Sequence, residues 1–133
     1  THAFNAMSFH HRDPGVLGAA IAHARARAKS KKGPFWVEAI GDGVHLHPEV
    51  LAGLKEWFPD ALCLVSDCAP CAGMPEGSQA TFSEMTVQVQ GGAAYTDSGK
   101  LAGGAKLLSQ QNTGAKDFTF NLINPLQLLK IKR

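Results

Sequence analysis

Polar residues able to do chemistry gather in this sequence directly after short apolar runs. His2 and Asn5 lie where a first run ends, Asp42, His45 and His47 follow Phe35–Ile40 (FWVEAI), and Asp67 follows Ala61–Ser66 (ALCLVS). In parallel α/β folds the loops after successive strands converge on one mouth, so three such positions in order point to a site. Each residue taken singly has the plainer reading of an ordinary loop residue. Asp67 is the sharpest candidate, because a carboxylate at the end of a buried strand is partly desolvated and suits a general base or acid. Its plain alternative is to cap the following turn. His2 and His45 could be metal ligands or donors to a substrate, and spacing alone does not decide. Arg12, after His10 and His11, carries a fork that grips phosphate bidentately, or else it pairs with Asp13 or solvent. Cys68-Ala-Pro-Cys71 matches C-x-x-C, but no second ligand pair accompanies it, and Pro70, Gly73 and Pro75 place it in a loop rather than at a helix start.

The elements that must hold these residues alternate between strand and helix. Thr1–Met7 reads as the end of a strand entering a loop punctuated by Pro14 and Gly15. Val16 to about Ala28 reads as an Ala-rich helix, whose exit carries Arg25, Arg27, Lys29, Lys31 and Lys32 before Gly33 and Pro34. Those cations suit a solvated helix end better than a nucleic-acid patch. Phe35–Ile40 is an expected buried strand, Pro48–Trp57 a helix with proline in its first turn, and Ala61–Ser66 a second buried strand. Met85–Gln90 (MTVQVQ) alternates, meets Gly91-Gly92 and continues into Ala93–Thr96, a hairpin signal. A short helix is expected after Gly104, and another over Phe118–Lys130, interrupted at Pro125. About three parallel strands with covering helices make less than half of a closed barrel of eight.

Composition narrows the classes further. The chain has 133 residues, 44% hydrophobic and 18% charged, which is a globular rather than a disordered composition. A formal net charge of +2 is too small for a nucleic-acid footprint. The sequence contains no apolar run of the ~20 residues that span a bilayer, so no membrane partner is expected. The three cysteines, Cys63, Cys68 and Cys71, are odd in number and clustered, which argues for a reducing compartment, by default the cytoplasm. The sequence opens on Thr1 rather than on Met, and an incomplete chain is expected.

These same residues resemble the N-acetylglucosamine-6-phosphate deacetylases of the amidohydrolase superfamily, in their C-terminal portion. Thr1-His-Ala-Phe-Asn-Ala-Met7 is similar to the family's THLFNAM, and His10-His-Arg-Asp-Pro-Gly15 to its HHREPG. Ile40-Gly-Asp-Gly-Val-His-Leu-His-Pro48 resembles IADGVHVHP, and Leu64-Val-Ser-Asp67 resembles LVTDA. Gly73-Met-Pro-Glu-Gly77 is similar to GLPDG, and Gly99-Lys-Leu-Ala-Gly103 to GTLAG, all in the family's order. Ile123-Asn-Pro125 resembles its LNPA. The resemblance implies the C-terminal part of a (β/α)8 TIM-type barrel with a β-hairpin insertion, one incomplete domain over residues 1–133. It implies removal of the acetyl group of N-acetylglucosamine 6-phosphate in amino-sugar catabolism, with a divalent metal ion (zinc or similar) as cofactor, a phosphorylated amino sugar as partner, and a homodimer in the full-length family. By the same resemblance His2 is a metal ligand, Asp67 the proton shuttle, and His45 a catalytic donor to the acetamide carbonyl. Asn5, Ala6, Arg12 (on the phosphate), Asp42, Gly43, Val44, His45, Leu101, Ala102 and Gly103 then bind substrate.

The sequence also departs from that pattern. The family's other metal ligands, a Glu and a His, come from strands that would precede Thr1. About ten residues are missing between Gln110 and Phe118, and Asp67 is followed by Cys-Ala-Pro-Cys where the family has its Ala-Pro one place later. Two alternatives therefore stand beside the deacetylase: another amidohydrolase acting on a different amide, and an inactive, non-enzymatic barrel fragment.

Overall fold

The computed structural model describes residues 2–30, 35–82 and 84–104. Its order is α1 (Gly15–Ser30), β1 (Val37–Ile40), α2 (Pro48–Trp57), β2 (Leu62–Val65), β3 (Gln79–Phe82), β4 (Met85–Gln90) and β5 (Ala93–Thr96). The helices expected after Gly104 and over Phe118–Lys130 lie outside the described residues.

β1 and β2 pair in parallel, with Val37 opposite Leu62 and Ile40 opposite Val65, and α2 forms the crossover between them. Apolar spacing dictates what α1 buries: Leu17, Ala20, Ile21 and Ala24 fall on one side of the helix and pack on the core. α2 starts where expected, with Pro48 in its first turn and the His47 side chain accepting from the Glu49 N–H at 3.3 Å. It sends Leu51 and Leu54 inward, and Phe58 caps it, fully buried. These side chains join Ala3, Val37, Ala39, Leu46 and Ala61 in one hydrophobic cluster.

A second, smaller cluster of Ala69, Cys71, Val87, Val89 and Ala94 lies against the antiparallel sheet β3-β4-β5. The expected hairpin is present: Gln90 faces Ala93 across Gly91-Gly92. Both glycines take positive φ (58° and 76°), the conformation a two-residue hairpin turn demands.

Three expectations change. Helix α1 begins at Gly15 rather than Val16, because Gly15 (φ 54°) turns the chain in close approach to the Ser8 carbonyl, where a side chain would clash. Gln79–Phe82 adds a strand that the sequence did not signal. Residues 3–6 form turns rather than the end of a third parallel strand, so the described parallel sheet has two strands. The physical reason is local: Phe4 (φ 69°) and Ala6 (φ 50°) occupy the left-handed region, which breaks an extended run. One sheet-like hydrogen bond survives, from the Ala3 N–H to the Glu38 carbonyl at 2.6 Å. The architecture is thus mixed α/β, with two small sheets. Among the described residues no helix is long and apolar enough to cross a membrane.

Candidate functional site

The loop after β1 organises itself around one buried carboxylate. Asp42 is 1% exposed, and its Oδ1 accepts the backbone N–H groups of Val44 (2.9 Å) and His45 (2.8 Å). Its Oδ2 lies 2.7 Å from His45 Nδ1, and His45 Nε2 lies 2.9 Å from the Ala102 carbonyl oxygen. Both partners of the ring only accept, an arrangement that favours a proton on each ring nitrogen of His45. The Asp42 bond raises the His45 pKa, burial opposes it, and the Ala102 carbonyl with the charges of Asp42 and Asp67 carries it above the ordinary histidine value. For Asp42 burial pushes upward, but the hydrogen bonds from His45 and Val44 outweigh it and hold the carboxyl below the ordinary aspartate value.

A cavity of about 420 Å³ opens beside His45, lined by His2, Ala3, Phe4, Asn5, Ala6, His45, Asp67 and the segment Leu101–Gly103. That volume falls within the ~300–1,000 Å³ of small-molecule sites. His2 and His45 meet edge to face, centroids 5.8 Å apart. On the rim, Phe4 stacks edge to face on Phe9, which tilts against Trp57 of α2, and this aromatic row supports the left-handed turn. Asp67 (φ 44°) is the third non-glycine residue in that strained region, so all three non-glycine residues with positive φ among those described fall at this cavity. A second cavity of about 380 Å³ adjoins it, sharing His2, Asn5 and Asp67 and adding Glu38 and Val65.

Of the residues singled out from sequence, His2, Asn5, Ala6, His45, Asp67, Leu101, Ala102 and Gly103 line the first cavity. Asp42 stands behind His45 rather than on the wall, and neither Gly43, Val44 nor Arg12 is among the described lining residues. The Arg12 guanidinium donates to His11 Nε2 at 2.8 Å, and the Arg12 backbone N–H donates to His10 Nδ1 at 3.3 Å. Asp67 was expected to be partly desolvated, yet its side chain is 58% exposed, because the cavity mouth opens past it. Sequence reasoning passed over Phe4, Glu38 and Gly104. The first two sit inside or beside recognised motifs, whereas the role of Gly104 appears only in three dimensions.

Whether the residues present suit a metal ion is decided by their donors. His2 Nε2 faces Asp67 Oδ2 at 3.8 Å, too long for a hydrogen bond, and His2 Nδ1 is buried with no partner among the described residues. No group of three or more His, Cys, Asp or Glu side chains converges among the described residues. Residues 105–133 add a single candidate ligand, Asp117. A catalytic zinc takes three protein ligands, so the described residues do not make up a metal centre by themselves.

No family model matches the chain. It is 37% identical over 103 residues to an N-acetylgalactosamine-6-phosphate deacetylase of Escherichia coli O157:H7, covering 77% of this chain and 25% of that protein. It is 36% identical over 122 residues to the N-acetylglucosamine-6-phosphate deacetylase of Bacillus subtilis (strain 168), covering 90% of this chain and 28% of the relative. Among solved structures, a mutant N-acetyl-D-glucosamine-6-phosphate deacetylase from Mycobacterium smegmatis, in complex with N-acetyl-D-glucosamine 6-phosphate, superposes with a TM-score of 0.68 at 27% identity. That match covers 82% of this chain and 27% of the other. The chain thus spans about a quarter of each of these proteins, and 56% of one further Escherichia coli relative.

Proposed function

Because this chain is homologous to a portion of the N-acetylglucosamine- and N-acetylgalactosamine-6-phosphate deacetylases, we propose that its cavity is the acetamide end of a deacetylase site for N-acetylhexosamine 6-phosphates. The observation that carries the reading is the convergence of His2, His45, Asp67 and Leu101–Gly103, from four separate stretches of sequence, on one cavity.

In this reading His45, its Nδ1–H held by Asp42 and its Nε2–H by the Ala102 carbonyl, acts on the acetamide through its charge and stabilises the oxyanion as the carbonyl carbon becomes tetrahedral. Asp67, exposed at the mouth, accepts a proton from the attacking water while the C–O bond forms. It returns that proton to the amine as the C–N bond breaks, giving acetate and the amino-sugar phosphate. Asn5 and Ala6 hold the sugar through side chain and backbone, the Asp42–His45 loop flanks it, and Leu101–Gly103 close over it. Arg12, beyond the cavity wall, takes the phosphate and turns its binding energy into positioning. The one metal ligand that the resemblance assigns here, His2, has too few companions among the described residues, and no step above is routed through a metal. A barrel arrangement of the surrounding protein, as one domain spanning residues 1–133 and beyond, belongs to the same proposal.

The donor count favours a second reading for the chain by itself: it binds the substrate without turning it over. One experiment separates the two and tests both. N-acetylglucosamine 6-phosphate is titrated into the chain and followed by NMR, and acetate is assayed with added zinc beside Asp67→Asn. Shifts confined to Asn5, Ala6, Arg12, the Asp42–His45 loop, Asp67 and Leu101–Gly103, weakened when either acetyl or phosphate is left out, are the expected result. Acetate release lost in Asp67→Asn would assign turnover to the chain itself. Shifts elsewhere, or none, would sink the site assignment.

A further inference from the structure

The segment Leu101–Gly104 is fastened on three sides. Toward the antiparallel sheet, Leu101 bridges Tyr95, and the Ala102 N–H donates to the Ala94 carbonyl at 2.7 Å. Toward β2, Gly104 bridges Cys68: its N–H donates to the Asp67 carbonyl at 2.8 Å, and its own carbonyl accepts the Ala69 N–H at 2.9 Å. Toward the β1 loop, the Ala102 carbonyl accepts His45 Nε2–H at 2.9 Å. The approach is close enough to exclude side chains. A Cβ on Gly103 would fall inside van der Waals contact with the Asp67 carbonyl, and one on Gly104 would meet the Ser66 carbonyl.

We propose that Leu101–Gly104 is the positioning strap of this cavity, setting the His45 ring through the Ala102 carbonyl and the strained Asp67 backbone through the Gly104 amide, with Gly103 and Gly104 as the residues whose missing side chains permit it. The physical argument rests on what each group lacks without the strap. The Asp42 bond leaves the His45 ring free to pivot about its Nδ1 side, so a second anchor at Nε2 is what fixes the orientation of the ring. Asp67 holds a left-handed φ of 44°, which an aspartate leaves unless its neighbours over-determine it. The carbonyl of Asp67 and the N–H of Ala69 are both tied to Gly104, so the strap grips the chain immediately after the strained residue, on either side of Cys68. Because the strap also hangs from β5, the order of the antiparallel sheet passes directly into the two residues that face the ligand.

The proposal rests on the deacetylase reading only for what the cavity is for. Its test contains no ligand, so failure to bind an N-acetylhexosamine phosphate leaves it standing, and its own failure leaves that reading untouched. In the full chain, the two ring N–H protons of His45 are followed by proton–nitrogen NMR in the unaltered protein, in Gly104→Ala and in Gly53→Ala, where an added methyl meets nothing within 4 Å. In Gly104→Ala the Nε2–H is expected to exchange about tenfold faster, as for one lost hydrogen bond, while the Nδ1–H to Asp42 keeps its protection and the Asp67 and Cys68 amides shift. A general loss of structure would move both ring protons together, which separates positioning from mere stability. Gly53→Ala is expected to leave both unchanged. Equal protection of both ring protons in Gly104→Ala would overturn the proposal. Should Gly104→Ala not fold, native-state hydrogen exchange on the unaltered chain decides. The Ala102 and Gly104 amides and the His45 Nε2–H are then expected to open with one common denaturant dependence, and independent opening of His45 would refute the strap.

Discussion

The Asp42–His45 pair sets how this protein responds to acid and base. His45 has a folded-state pKa above its ordinary value of ~6.5, so the stability it contributes is fully present below about pH 6.5 and is lost as pH rises through the higher folded value. Asp42 is shifted the other way. Its contribution is present above about pH 4 and lost as pH falls through its lowered value. Urea denaturation is therefore expected to give a larger unfolding free energy at pH 5.5 than at pH 8.5, and His45→Gln to flatten that difference. Asp42→Asn removes the counter-ion and leaves its partners poorly satisfied, at a cost of about 1–3 kcal/mol. In that variant the imidazole titration of His45, read by NMR, should move down toward the ordinary value. An unchanged titration would mean that Ala102 and Asp67, not Asp42, hold the ring charged.

Helices and strands differ in how openly the sequence announces them. The β4–β5 hairpin is legible because alternation in Met85–Gln90 and two glycines with positive φ are both demanded by the turn. α2 is legible from Pro48 and from the inward spacing of Leu51 and Leu54. β3 is not, since Gln79–Phe82 is only four residues long and gains its strand character from pairing with β4. The turn at Phe4 and Ala6 is equally hidden, because left-handed backbone at non-glycine residues carries no compositional mark. Most of the cavity wall could be named from motifs, yet the bond between His45 and Ala102 spans 57 positions and depends on how two separate cores meet. Glycines give the cleanest check on the helices. Gly15→Ala, at φ 54° against the Ser8 carbonyl, should destabilise by about 1–3 kcal/mol. Gly53→Ala, in the middle of α2 with open space around it, should stabilise by about 0.5–1 kcal/mol. Thermal melts of the two variants should shift in opposite directions.

Two hydrophobic clusters, one around Phe58 and one around Val87 and Val89, give the protein two centres of stability joined through the strap. Phe58 is fully buried and meets Phe35 at 6.3 Å, so Phe58→Ala should cost about 3–5 kcal/mol. The loss should be uneven: amide exchange in β1 and β2 is expected to accelerate far more than in β4 and β5. Equal acceleration throughout would show that the two clusters unfold as one.

The three cysteines, in this light, form a built-in set of clocks. Cys68 is exposed beside the strap, Cys63 is half-buried on β2, and Cys71 is wholly enclosed in the smaller cluster. Burial, with the nearby charge of Glu38, keeps the Cys63 thiol protonated above its ordinary range, which slows its attack on an alkylating reagent at neutral pH. Cys68 should therefore be modified first and without any opening of the protein. Modification of Cys71 must wait for the smaller cluster to open, and that of Cys63 should gain strongly with rising pH. Mass spectrometry of a single alkylation time course would time-stamp the parting of each half of the molecule, with no label or probe added to the sequence.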